Sequence, residues 1–365
     1  MAALAIGVAA LIASAIAGTA RPDAFFRAWL AGFSVWIGIS LGALMLLMAY
    51  DLTGGAWGRA ARPPLAAAAA MMPLNAILFL PLLFGLSRLY PWADPAHSAE
   101  LANRFYLNPS FFLVRALLYF ALWLGWTALT QRPAARDPDG KAIGRMTSAP
   151  GLIVLGITTT FAAFDWTMSL MPEWSSSIYG LFVTAGDLLA AAALAALTAG
   201  LLPLPLALPS RERTADPADP LGDIGSLMLA GILLLTYLAV MQFVIIWEEN
   251  LPDEIPWYLH RLVDGWQGFD WLLALVQVVL PFAILIAWPL KRRPGWLRTA
   301  AVLLLLGHVL DQWWLVLPPH RIDWLTPAVL VATGGIWLAL FDLRLERGRL
   351  LFGGSAGAVP GETHG

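Results

Sequence analysis

Ionisable side chains interrupt several stretches of this sequence that are otherwise apolar. Asp165 follows the run GLIVLGITTTFAA, and Asp187 lies within LFVTAGDLLAAAAL. An ionised carboxylate in hydrocarbon costs about 2.5–3.5 kcal/mol on insertion scales, so such residues usually mark a proton path or a polar binding site. The residues that fit this description are Asp165, Asp187, His308, Asp311 and Arg115.

These residues predict a proton path or polar site in the outer half of a membrane. His308 and Asp311 are three positions apart, so they share one face of a helix. We expect replacement of Asp165 by Asn to impair this path while leaving assembly intact. The alternative for Asp165 is a structural ion pair with Arg115, which would leave the other three residues unexplained. Neutral groups that would support the site are Thr158, Thr159, Asn75, Gln242, Gln277 and Trp166.

Other chemistries find little support in the sequence. The chain has no cysteine, which excludes disulfides, thiolate metal sites, iron–sulfur clusters and covalently attached haem. His308 is the only histidine well inside an apolar run, whereas a haem in a helix bundle commonly takes two axial ligands from facing helices. No metal site and no catalytic nucleophile are predicted. A net charge of −2 gives no sign of nucleic-acid binding.

The composition predicts the elements that must position these residues. Of 365 residues, 59% are hydrophobic and 13% are charged, against about 25% charged in soluble domains. Because backbone groups in lipid have no water to bond, each long apolar segment should be a helix. The sequence therefore predicts an all-α integral membrane protein with ten transmembrane helices, at residues 2–20, 24–50, 64–88, 109–130, 149–171, 175–203, 223–247, 265–289, 296–317 and 324–342.

The chain should form a single polytopic membrane domain over residues 1–345, followed by a flexible cytoplasmic tail at 346–365. Residues 2–20 lack the basic start of a signal peptide, so we interpret them as the first membrane helix. Asp165 lies seven residues before Pro172, and Asp311 lies seven residues before Pro318. If residues 24–171 and 175–317 form two four-helix bundles, with the first and last helices peripheral, these aspartates occupy equivalent positions.

Charge distribution predicts the orientation. Lys and Arg concentrate on the side that holds both termini and the loops after even-numbered helices. The positive-inside rule then makes both termini cytoplasmic. The opposite, predicted outer loops are acidic, which fits either ordinary charge bias or a docking face for an extracytoplasmic partner.

Several stretches resemble a known family. They are FSVWIGISLGALMLLMAYDLTGGAWG (33–58), FLPLLFGLSRLYPWA (79–93), RFYLNPSFFLVRALLYF (104–120), FAAFDWTMSLMPEWSSSIYG (161–180) and QFVIIWEENLPDEIPWYLHR (242–261). The chain is similar to the ActF-type, NrfD-like quinol-oxidoreductase membrane subunits of bacterial alternative complex III. The resemblance covers nearly the whole chain.

The resemblance implies a multi-pass subunit of a bacterial cytoplasmic membrane complex that oxidises quinol, either ubiquinol or menaquinol. The implied partners are lipid, an ActC-like NrfD subunit, an iron–sulfur subunit, c-type cytochrome subunits and a terminal oxidase. This chain would carry no redox centre, haem or iron–sulfur cluster of its own. It would contribute to a proton path, and whether it or the ActC-like subunit binds quinol stays open. Two other readings remain, a proton-coupled secondary transporter and a purely structural anchor of the complex.

Overall fold

The computed structural model describes residues 2–96, 103–131, 141–201, 219–252 and 254–353. Within these ranges the regular structure is helical, and ten helices are long and apolar enough to cross a membrane. The predicted all-α membrane architecture is therefore confirmed. The ten helices are α1 (Ala2–Ala20), α2 (Pro22–Thr53), α3 (Ala56–Phe84), α4 (Pro109–Thr130), α5 (Lys141–Trp166), α6 (Tyr179–Leu201), α7 (Pro220–Glu249), α8 (Trp266–Ile286), α9 (Pro294–Val316) and α10 (Leu325–Gly353).

Local sequence signals explain where several helices begin. Helices α2, α4, α7 and α9 each have proline in the first turn, where its missing N–H would be unpaired in any case. Asn108 caps α4, since its side-chain oxygen accepts a hydrogen bond from the Phe111 amide at 2.8 Å. Asp219 caps α7 in the same way through the Gly222 amide at 3.0 Å. Both caps satisfy amide groups that a helix start leaves unpaired.

Two of the helices are irregular, and a third is longer than predicted. Helix α3 is interrupted after Ala56–Ala69 and resumes at Met72–Phe84. Helix α8 contains a π-helical turn at Ala274–Val279. Helix α10 continues to Gly353, beyond both its predicted end at 342 and the predicted start of the tail at 346. The rest of the predicted tail, residues 354–365, lies outside the described residues.

The helices pack as two sets of four with the same order of neighbours. In the first set α2 contacts α3 and α5, while α4 contacts α3 and α5. In the second set α6 contacts α7 and α9, while α8 contacts α7 and α9. Helices α2 and α6 also pack against each other and join the sets. This arrangement places α5 and α9, which carry Asp165 and Asp311, in corresponding positions.

Helix α2 is the centre of the protein and is enclosed by neighbours along most of its length. Its closest approach to α6 occurs at Gly38 and Gly42, where a Cβ on Gly42 would come within 2.9 Å of the Leu188 amide nitrogen. Small residues four apart allow such close backbone contact in membrane helices. By contrast α1 is largely exposed to the surroundings, and it packs on α10 where Gly7 meets Gly335. Helix α10 also contacts α2 and α3, so it is less peripheral than α1.

Candidate functional site

Asp165 forms a buried ion pair with Arg115. The Arg115 Nε donates to Asp165 Oδ2 at 2.8 Å, and Nη2 donates to Oδ1 at 2.8 Å. The Tyr119 hydroxyl donates to Oδ2 at 2.9 Å. The side chains of Arg115 and Asp165 are only 8% and 1% exposed. Two-point guanidinium contacts are among the strongest in proteins, so this carboxylate has its negative charge fully matched.

Aromatic residues and a backbone carbonyl complete the surroundings of Arg115. Its guanidinium lies over the rings of Tyr106 and Phe111, at 3.8 and 4.4 Å from their centroids. Its Nη1 donates to the Tyr106 carbonyl at 2.9 Å. Because every part of the guanidinium has a partner, the pair fastens α4 to the end of α5. The structure thus shows the pairing that the sequence offered as the alternative for Asp165.

A second polar cluster lies where α2, α6 and α9 meet. A Cβ built on Gly38 would lie 2.9 Å from Asp187 Cγ and 3.3 Å from His308 Cε1, so both side chains face the same glycine. Asp311 Oδ2 lies 3.5 Å from a Cβ built on Gly186, the residue next to Asp187. All three ionisable side chains are at most 5% exposed. The structure therefore brings Asp187, His308 and Asp311 together and places Asp165 with Arg115 instead.

The ionisable groups of this second cluster are poorly matched by protein partners. His308 Nε2 lies 3.2 Å from the Val35 carbonyl. Among the described residues, neither aspartate makes an ion pair within 4.0 Å, and several buried polar atoms have no hydrogen-bond partner. These atoms are Asp187 Oδ1, Asp311 Oδ2, His308 Nδ1, Gln312 Nε2 and Trp166 Nε1. Buried polar atoms need partners, and ordered water supplies them where protein does not.

A small cavity of about 40 Å³ lies beside Asp187, the only one of the three ionisable residues that lines it. Asp187, Gln312, Thr159, Thr167 and Trp166 line it together with apolar residues of α2 and α5. A water needs about 10–15 Å³ of such volume, so the cavity has space for a short chain of a few waters. The cavity thus has room for water beside a carboxyl group near the middle of α6.

A larger cavity of about 300 Å³ opens at the predicted outer face, the face formed by the loops after α1, α3, α5, α7 and α9. Thr167 lines this cavity as well as the small one. Its hydroxyl donates to the Ala163 carbonyl at 2.9 Å, and the same oxygen can also accept a hydrogen bond. Thr167 is therefore the boundary between the buried carboxyl cluster and the predicted outer face.

The neutral residues predicted to support the site fall into different places. Thr159 lines the small cavity and contacts Thr184 at 3.4 Å. Thr158 accepts from the Trp123 indole at 2.9 Å, and Asn75 donates to Ser40 at 2.8 Å; both contacts hold helices together. Gln242 accepts from Ser176 at 3.2 Å near the predicted outer face.

Two further supporting residues lie closer to the second cluster. Gln277 lies in the π turn of α8 and packs against Gly307, one residue before His308. Trp166 packs against Phe33 and Phe79 while its indole faces the small cavity.

Several residues of the site were missed from the sequence. Gly38 and Gly42 form a GxxxG spacing that would have predicted close approach of another helix to α2. Gln312 follows a residue that was singled out, so its proximity to Asp311 was a usable signal. Thr167 carried no signal, because its role depends on which cavities meet there.

Comparisons with known proteins add no family to this picture. The described residues contain no group of three or more His, Cys, Asp or Glu side chains placed to hold a metal ion. No protein-family model matches the sequence, and no curated protein matches it.

Proposed function

We propose that this chain is a proton-conducting membrane subunit of a quinol-oxidising respiratory complex of the alternative complex III type. The observation that carries the proposal is Thr167, which lines both the small cavity beside Asp187 and the larger cavity at the predicted outer face. The resemblance of the sequence to the NrfD-like subunits of alternative complex III supports the assignment to a respiratory complex. The proposal assigns proton transfer to this chain and quinol oxidation to the assembly as a whole.

The chemistry follows from what each group can hold. Oxidation of a quinol yields a quinone, two electrons and two protons. Electrons would pass to iron–sulfur and c-haem partner subunits, because this chain has no cysteine for such centres. Asp187, Asp311 and His308 can each take up and release one proton. Water in the small cavity and the Thr167 hydroxyl would pass the proton to the predicted outer face.

Helix geometry favours this proposal over a secondary transporter. Transporters with repeated halves usually have broken helices in corresponding positions, where substrate binds. Here the irregular helices are α3, with its break, and α8, with its π turn. The counterpart of α3 in the second set is α7, which is continuous from Pro220 to Glu249. The two irregularities therefore do not form a matched pair.

The first test is purification of the chain from its native membrane in mild detergent. Co-purification of multihaem cytochrome c and iron–sulfur subunits, with a reduced-minus-oxidised haem spectrum, is the expected result. A chain that emerges alone and colourless would overturn the respiratory assignment.

The second test uses Asp187→Asn and Asp311→Asn within the assembled complex. Loss of a proton-transferring side chain typically lowers rates by about 100-fold or more, so quinol-dependent turnover and proton release should both fall. Asp264→Asn is the matched control, since Asp264 is half exposed and pairs with Arg321 at the surface. Normal turnover in both buried variants would leave only an anchoring role.

A further inference from the structure

The larger cavity is lined by an unusual concentration of basic side chains. Five basic residues converge on it from the start of α2 and the segments that follow α3, α7 and α9: Arg27, Arg88, His260, Arg261 and His320. No Asp or Glu of the described chain lines the cavity. Its volume of about 300 Å³ is at the lower end of the range of small-ligand sites. The cavity is therefore a preformed cationic pocket.

Arg261 places a buried positive charge against this pocket. The residue is 4% exposed, and its guanidinium lies 3.5 Å from the Trp257 ring centroid and 4.7 Å from that of Trp314. It donates to the carbonyls of Trp257, Trp314 and Leu315 at 2.7–3.2 Å, all of which are neutral acceptors. Burial lowers the pKa of Arg261 to about 9, so the group stays protonated at neutral pH.

The other two arginines leave the pocket positive. Arg88 pairs with Asp23 at 2.9 Å, but both side chains are about half exposed, where solvent weakens such pairs. Arg27 is half-buried; Asp23 and Asp323 act on it electrostatically, but it makes no hydrogen bond or ion pair with the described residues. The carboxylates nearest Arg261 are Asp270 and Asp311, and neither forms an ion pair with it in the described chain. Asp270 instead accepts a hydrogen bond from the Trp314 indole.

We infer that this pocket binds a phosphate group, carried either by an anionic membrane phospholipid or by inorganic phosphate. Guanidinium groups bind phosphate oxygens through two parallel hydrogen bonds, and this geometry favours phosphate over a monatomic anion. Leu170 and Met171 form part of the wall and suit the glycerol and acyl portion of a lipid. This binding site goes beyond the proposed function and does not depend on it.

The experiment measures the thermal unfolding midpoint of the protein as extracted in mild detergent, alone or with whatever subunits accompany it. The added probes are phosphatidylglycerol, phosphatidylcholine and inorganic phosphate, each in a separate titration. A ligand that binds only the folded state raises the midpoint, and the stabilisation grows with the logarithm of ligand concentration divided by Kd. Arg27→Gln is the deciding variant, because Arg27 makes no hydrogen bond or ion pair with the described residues, whereas Arg261→Gln also removes hydrogen bonds to three carbonyls. Arg321→Gln is the control, since Arg321 is largely exposed and lies outside the pocket.

We expect Arg27→Gln to weaken binding about tenfold or more, the usual effect of losing a hydrogen bond to a charged group. Arg321→Gln should bind as the wild type does. A shift with phosphatidylglycerol alone identifies a lipid headgroup, and a shift with inorganic phosphate identifies the free ion. Equal shifts in wild type and Arg27→Gln, or no shift with any probe, would overturn the inference. Because the readout is binding and not turnover, its failure is distinct from failure of the proposed proton path.

Discussion

Replacement of Asp165 by Asn should destabilise this protein before it affects any proton path. The substitution removes the negative charge while Arg115 stays buried among Tyr106, Phe111 and Tyr119. Removing one partner of a buried ion pair typically costs about 3–5 kcal/mol, since the other charge is left uncompensated. A loss of that size raises the unfolded fraction by about two to nearly four orders of magnitude. The expectation from sequence alone, intact assembly with impaired turnover, is therefore replaced by an assembly defect.

The assay measures unfolding of the purified protein in mixed detergent micelles. Unfolding is monitored by the loss of the helical circular dichroism signal. Asp187→Asn is the matched control, because Asp187 has no ion-pair partner among the described residues and Asn keeps its shape. A double variant, Arg115→Gln with Asp165→Asn, should be less destabilised than the sum of the single variants. An Asp165→Asn protein as stable as the wild type would refute the reasoning, and so would strict additivity in the double variant.

Other parts of the structure give predictions of the same kind. Thr167→Val keeps the side-chain shape and removes the hydroxyl between the two cavities, so turnover of the assembled complex should fall while its unfolding midpoint stays unchanged; equal turnover would contradict the route. Gly38→Leu should push the Asp187 side chain away from α2 and abolish assembly, as judged by size-exclusion chromatography, whereas Gly38→Ala should give a milder loss. Gly335→Leu should separate α10 from α1 at Gly7, and cross-linking between cysteines introduced in these two helices should disappear while the rest of the protein stays folded.

Much of the fold follows from the sequence because lipid leaves the backbone few choices. Each apolar run long enough to cross must form a helix, so the ten helices were predicted close to their observed positions. The ends of the helices were harder to predict from the sequence. The end of α10 at Gly353 follows a charged stretch that hydropathy excludes from a membrane, yet a helix can continue into water. The π turn of α8, in which Gln277 packs against Gly307, carries no sequence signal.

The candidate site was only partly predictable for the same reason. The ionisable residues were evident from their types, because charges inside apolar runs are costly. Which of them meet is a tertiary property, and the separation of Asp165 from Asp187 depends on how α4 and α6 pack against their neighbours. Arg261 looked like an ordinary loop residue. Its burial between Trp257 and Trp314 requires the loop after α7 to fold over the end of α9.

The central position of α2 has a consequence for biosynthesis. This helix is made second, yet several of the helices that enclose it, including α6, α9 and α10, are made much later. Between Arg27 and Asp51 it carries no charged residue, so it can stay inserted in the bilayer before its neighbours are made, with little free-energy cost. The acidic helices arrive afterwards, and the first of them, α5 with Asp165, follows directly after α4 with Arg115. Arg115 is therefore synthesised before Asp165, the carboxylate that neutralises it. Likewise the apolar helix α2 is synthesised before Asp187, which packs against its Gly38.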